Sequence, residues 1–148
     1  MNTVTLPSGY DISTDAARLD LDAIHRFLSE DSYWARGAPR AVIERAVANS
    51  LCFGLYHGMA QAGLARVVTD KATFVLVSDV FVLEGHRGLG LSKCLMQSVM
   101  AHPDLQGMRR HLLMTADAHG LYSQFGFQPL AWPERFMEIL RPDIYQAG

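Results

Sequence analysis

The apolar positions of this chain follow two spacings, and the switches between them outline the elements. Leu21, Ile24, Phe27 and Leu28 recur every three or four residues behind Asp20, which predicts an Asp-capped helix with one buried stripe. Val42, Ala46 and Val47 do the same behind Pro39, a residue suited to a first helical position. Leu91, Leu95, Met96 and Val99 form a third stripe, which Pro103 ends. Between these lie strand-like runs: LCFGLYH (51–57), a turn at HGMAQ, AGLARVV (62–68), a turn at TDKAT, and the long FVLVSDVFVL (74–83). A short strand at Tyr10-Asp11-Ile12, a buried strand HLLMT (111–115) and a last strand FMEIL (136–140) complete the sheet, with a short helix AHGLYSQFG (118–126) closed by Gly126. The order β-α-α-β-β-β-α-β-α-β predicts a mixed α/β (α+β) domain, with antiparallel strands first and a crossover late.

Composition narrows what such a domain can do. At 148 residues the chain reads as one domain, 1–148, and 49% hydrophobic with 19% charged residues is a globular balance. The formal charge is -2 and the densest basic cluster is only Arg109-Arg110-His111, so no nucleic acid is expected as a partner. Cys52 and Cys94 each sit in an apolar run and read as core thiols of a reducing compartment. The start MNTVTLPSGYDIS has no basic-then-apolar signal pattern, and no apolar run approaches the ~18 residues of a membrane span. A soluble, cytoplasmic protein with no membrane partner is the expectation. The six histidines show no zinc-type spacing, so no metal is expected.

The candidate chemistry begins at EGHRGLGLSKCLM (84–96). A strand entering a helix through glycines points several backbone N–H groups together at the helix's positive end, which is an anion site. Gly88 and Gly90 let the backbone approach a phosphate closely, while Arg87 and Lys93 add positive charge. A P-loop would need Gly-Lys-Ser/Thr, but Gly90 is followed by Leu91-Ser92-Lys93. A dinucleotide fingerprint would need a third glycine where Lys93 stands. Both nucleotide readings fail, and an ordinary tight turn remains the plain alternative.

Arg87-x-x-Gly90-x-Ser92, after a strand ending Val82-Leu83-Glu84, resembles the acyl-CoA pyrophosphate loop of the GNAT family of N-acetyltransferases. Ala118-x-x-Leu121-Tyr122-x-x-x-Gly126-Phe127 is similar to a second segment of that family, at the right distance along the chain. Three positions depart from the pattern: Ser92 for Gly or Ala, Glu84-Gly85-His86 where a proline is common, and Thr115 where many members have Asn. The resemblance implies a sheet splayed between its fourth and fifth strands. It also implies acetyl-CoA as cosubstrate, bound by Phe81, Val82, Leu83, Arg87, Gly88, Leu89, Gly90, Leu91, Ser92 and Lys93, and transfer of its acetyl group to a primary amine in a ternary complex. A non-catalytic acyl-CoA-binding module is the alternative.

The reaction sets three tasks: polarising the acetyl carbonyl, taking a proton from the amine, and supplying one to the departing thiolate. On the family match, backbone at Phe81-Val82 serves the first and the phenol of Tyr122 the third; by spacing alone Tyr122 reads equally as a core aromatic. Asp79 is the one ionisable side chain between Thr73 and Leu83. It is either the general base or a receiver of hydrogen bonds where the sheet splays. The family places the acceptor wall at the loop 29–37, where Glu30, Tyr33 and Trp34 are the candidates, with Trp132 and Arg135 weaker ones and His119 a possible neighbour of Tyr122. The amine itself is unspecified, a small molecule or a peptide, and exposed edge strands make a homodimer an expectation.

Overall fold

The computed structural model describes residues 3–146. Five strands form one sheet in sequence order: β1 (Tyr10–Ser13), β2 (Leu51–His57), β3 (Ala60–Thr69), β4 (Phe74–Val82) and β5 (Arg110–Leu113). The first four pair antiparallel and β4–β5 is parallel. Helices α1 (Leu21–Arg26) and α2 (Arg40–Ala48) cover one face and α3 (Leu91–Ala101) the other, with α4 (His119–Ser123) beside β5. With both faces covered, β2 and β3 are buried almost throughout, with little of the in-out contrast of a half-exposed sheet.

Local chemistry sets the element ends. The Asp20 carboxylate accepts the Ala23 N–H at 3.1 Å and starts α1. That helix then widens, the Ser32 N–H reaching back five residues to the Phe27 carbonyl at 2.9 Å. In α2 the buried residues are Ile43 and Val47, and Val42 is exposed. Both i, i+4 choices fit the spacing, and the sheet selects the bulkier pair. Gly126 takes φ +93°, which lets the Phe127 N–H close back on the Tyr122 carbonyl at the end of α4.

Two expectations are corrected. HLLMT is not a buried strand: β5 is the sheet's outer edge, its residues half-exposed and Met114 exposed. FMEIL forms no strand, so the sheet ends at β5 among the described residues. A short apolar run supplies side chains to pack, but a strand also needs a neighbour for its backbone. Here Pro133 starts a tight turn at residues 133–135 and the following segment runs outside the sheet.

The β3–β4 turn rests on Asp70, whose carboxylate accepts the Thr73 hydroxyl at 2.6 Å and the N–H groups of Thr73, Ala72 and Phe74. The Thr73 hydroxyl and these amides hold the Asp70 carboxyl well below the usual carboxylate range. With the folded value depressed, the stabilisation is complete above pH ~4 and is lost as pH falls toward the folded value. Asp70→Ala therefore lowers the thermal midpoint at neutral pH, and its deficit relative to the wild type shrinks below pH ~4. A deficit that stays constant into acid would remove Asp70 from this role.

Candidate active site

The site is made by an irregularity in the sheet. Leu64 pairs with Phe81 and Arg66 with Ser78, so Asp79 and Val80 of β4 face the single residue Ala65 of β3. This is a β-bulge, and Asp79 sits in it at φ +42°, a region that costs a side-chain-bearing residue energy and that Asp tolerates better than most. The bulge bends β4. Pairing with β5 runs only from Phe74–Arg110 to Val77–Leu113, so Ser78–Val82 have no β5 partner. Between the diverging strands lies a cleft edged by β4 backbone, as the splayed sheet requires.

Polar contacts hold the bulge. One oxygen of Asp79 accepts the Trp34 indole N–H at 2.7 Å and the other accepts the Arg66 Nε–H at 2.6 Å. Arg66 also donates to the Ser50 hydroxyl at 3.0 Å, which donates to the Ala46 carbonyl at 2.6 Å. The Asp79 and Arg66 side chains are only 8% and 17% exposed, so water competes little for this pair. Sequence reasoning missed Arg66 and Ser50. The signal for Arg66 was available: a lone charge inside the apolar run AGLARVV.

Aromatic rings continue the clamp toward the loop. Phe81 stacks on Phe27 at 4.1 Å, Trp34 lies 6.2 Å from Phe27, and Tyr33 meets Trp34 edge-on at 5.0 Å. The Tyr33 hydroxyl accepts the Ala116 N–H, just past β5, at 3.0 Å. Neighbouring side chains of one loop thus tie to opposite sides of the splay, Trp34 to β4 and Tyr33 beyond β5. Glu30 is exposed on the widened turn. Trp132 and Arg135 stack on one another at 4.2 Å, away from these ties.

Tyr122 is 9% exposed, and burial, with Tyr33 and Asp117 adding to it, pushes its phenol up to about 12. It stays protonated at any working pH. Thr115 accepts the N–H groups of Ala118 at 3.0 Å and Asp117 at 3.4 Å through its hydroxyl, fixing the approach to α4. His119 is exposed one turn before Tyr122.

At the other end of β4 the glycine loop is formed as the sequence suggests. Gly88 and Gly90 take φ +85° and +74°, and Gly90 opens α3 with no side chain capping it. The helix's first N–H groups therefore have no side-chain partner at the cap. Val82, His86, Arg87, Gly88, Gly90, Leu91 and Ser92 line a cavity of about 220 Å³ there. Arg87 donates from Nε to the Val82 carbonyl at 3.0 Å, and His86 hydrogen-bonds the Tyr10 hydroxyl at 2.7 Å, so the loop is pinned to β4 and β1. Leu83 donates its N–H to Ala62 at 2.8 Å, Leu91 is buried, Leu89 is half-exposed, and Lys93 is partly buried.

Burial raises both thiols, Cys52 to about 11. Among the described residues no three His, Cys, Asp or Glu side chains gather to hold a metal ion, and no helix is long and apolar enough to cross a membrane.

This constellation defines an acyltransferase fold, and comparison with known proteins makes the assignment specific. The family model described as Acetyltransferase (GNAT) domain matches residues 48–129. A candidate acetyltransferase from Gibberella zeae is 34% identical, covering 78% of this chain and 76% of its own. The crystal structure of a candidate GNAT acetyltransferase from Xanthomonas campestris pv. campestris is 50% identical and superposes with a TM-score of 0.93 over 97% of this chain and 100% of that one. A GNAT acetyltransferase from Elizabethkingia anophelis, crystallised with acetyl-CoA bound, shares the fold at 12% identity and a TM-score of 0.63, over 91% and 90% of the two chains. The chain belongs to the GNAT acetyltransferase family.

Gly63 gives a test of the bulge's surroundings. A Cβ added there would lie 2.5 Å from the Phe81 carbonyl oxygen and 3.3 Å from the Val82 Cα. Gly63→Ala should cost about 1–3 kcal/mol in urea unfolding, because backbone, not a flexible side chain, must move. An unchanged midpoint would show that β3 and β4 are free to separate at this point.

Proposed function

We propose that this chain transfers the acetyl group of acetyl-CoA to an amine by direct attack within a ternary complex. The observation that carries this is the pairing of a pinned glycine loop with a bulge-made splay along one strand, β4. The loop's amides and the N-terminus of α3 meet the pyrophosphate, and the unpaired Ser78–Val82 backbone flanks the pantetheine and thioester. The acetyl-CoA held by the Elizabethkingia protein supports this choice of cosubstrate. The Arabidopsis thaliana neighbour of the same fold, a glucosamine-6-phosphate N-acetyltransferase, supports an amine acceptor.

The amine nitrogen attacks the thioester carbon, the tetrahedral adduct collapses, and the C–S bond breaks as nitrogen gives up a proton and sulfur gains one. Tyr122 serves the sulfur. A phenol near 12 facing a thiolate of pKa ~8.5 would lose its proton uphill, by roughly 5 kcal/mol. Its role is therefore a hydrogen bond to the developing thiolate, with the proton reaching sulfur as the ammonium resupplies the phenol. Both raised thiols are protonated at neutral pH, which disfavours an acyl-cysteine route.

Asp79 acts as a positioning residue in this account, because each of its oxygens already accepts a short hydrogen bond. Tyr33 and Trp34 form the acceptor wall, with Asp79 fixing Trp34. Tyr122→Phe should lower kcat by ~10²-fold or more with acetyl-CoA affinity unchanged. Asp79→Asn should lower the thermal midpoint yet keep the acidic limb of the pH–rate profile. Unchanged turnover in the first variant would remove Tyr122 from the chemistry, and a vanished limb in the second would make Asp79 the base.

A further inference from the structure

Three rings meet where the β1–β2 pair touches the glycine loop. Tyr10 of β1 faces His57 of β2 across the antiparallel ladder, with ring centroids 4.6 Å apart. His86, at the end of the turn 84–86, sets its ring edge-on to Tyr10 at 5.6 Å and lies 5.7 Å from His57. Backbone closes over the cluster at Gly9, where an added Cβ would lie 3.3 Å from His57 Nε2. His86 also lines the glycine-loop cavity of about 220 Å³, together with Arg87, Gly88, Gly90 and Ser92. A half-buried imidazole held against a phenol and opening onto an anion cavity is a group with a proton to give.

The hydrogen bond decides which nitrogen of His86 is free. Its Nδ1 lies 2.7 Å from the Tyr10 hydroxyl. When the phenol donates to Nδ1, the neutral ring carries its hydrogen on Nε2. When the ring is an imidazolium, Nδ1–H donates to the phenol oxygen instead, and Nε2 still carries a hydrogen. Beside an anion the neutral ring takes the first of these arrangements, because the other would aim a lone pair at the negative charge. The Tyr10 contact thus leaves Nε2–H as a donor in both charge states. A histidine without that partner would have to give up ring rotation and tautomer choice on binding.

We propose that His86, oriented by Tyr10, donates Nε2–H to the diphosphate of acetyl-CoA, so that affinity for the cosubstrate rises as pH falls and the ring gains a proton. Tyr10 is a positioning residue, and His57 braces it. Both roles rest on the acetyl-CoA reading above. The sign follows from charge: an imidazolium bonds an ionised diphosphate more strongly than a neutral imidazole does. Tyr10 on β1 and His57 on β2 face His86, Glu84 and Arg87 flank it in the chain, and Lys93 stands on the first turn of α3. Glu84 favours the proton on His86, whereas Arg87, Lys93 and a protonated His57 oppose it, and a bound diphosphate offsets those cations.

Calorimetric titration of the full chain with acetyl-CoA and with acetyl-dephospho-CoA, from about pH 8 to about pH 6, tests it. The second thioester lacks the 3′-phosphate, a monoester that itself titrates near pH ~6, and keeps the diphosphate. The wild type should bind acetyl-dephospho-CoA about three- to tenfold more tightly at the lower pH. His86→Gln keeps an uncharged donor and should flatten that profile, while His57→Gln should leave its slope in place. Tyr10→Phe keeps the ring and should weaken binding about threefold at the higher pH but little at the lower, where an imidazolium has a donor at either nitrogen. A phenol that only packs the loop would give the same loss at both. A flat wild-type profile, a slope that survives His86→Gln, or a His86 effect seen with acetyl-CoA and absent with acetyl-dephospho-CoA would each overturn the proposal while leaving acetyl-CoA as the cosubstrate. A wild type that binds neither thioester would remove both.

Discussion

The site depends on one carboxylate held at a backbone angle that few side-chain-bearing residues adopt. Asp79 at φ +42° is what makes β4 carry two residues against one of β3. Left alone, that conformation would relax into a regular ladder. Arg66 and Trp34 oppose this by engaging one oxygen each, and the low exposure of the Arg66–Asp79 pair limits competition from water. Buried pairs of this kind add little net stability compared with apolar packing, but they penalise any other arrangement of the same residues.

From that bend the rest follows in physical order. The bent β4 leaves β5, so backbone amides and carbonyls that a regular sheet would consume remain available to a ligand. The same strand delivers the chain into the glycine loop, where α3 starts with uncapped N–H groups. One end of β4 therefore leads to uncapped helix N–H groups, and its middle carries backbone without a β5 partner. The loop bearing Tyr33 and Trp34 shares the clamp through Trp34, so the loop and the splay of β4 are held by the same residue, Asp79.

What could be read from the sequence was what local chemistry decides. The Asp20 cap, the stripe of α3, the hairpin turns, the two glycines of the anion loop and Gly126 each leave a local signature, and each is in place. The bulge was not legible, because FVLVSDVFVL is apolar on both faces and register is decided by β3, not by β4 alone. Asp79 stood out as a lone acid, but its partners lie 13 and 45 residues away in the chain. FMEIL was read as a strand from its own apolar residues, whereas pairing needs a neighbour that the described residues do not place beside it. The face of α2 was misjudged for a related reason: two spacings fit, and only the packed sheet chooses.

The central claim is that the β4 splay and the glycine loop together form an acetyl-CoA site. Calorimetric titration of the purified protein with acetyl-CoA, alongside ATP and NAD, tests it most directly. The account predicts saturable micromolar binding of acetyl-CoA and none comparable for either nucleotide. Absence of heat with acetyl-CoA, or tighter binding of ATP or NAD, would contradict it.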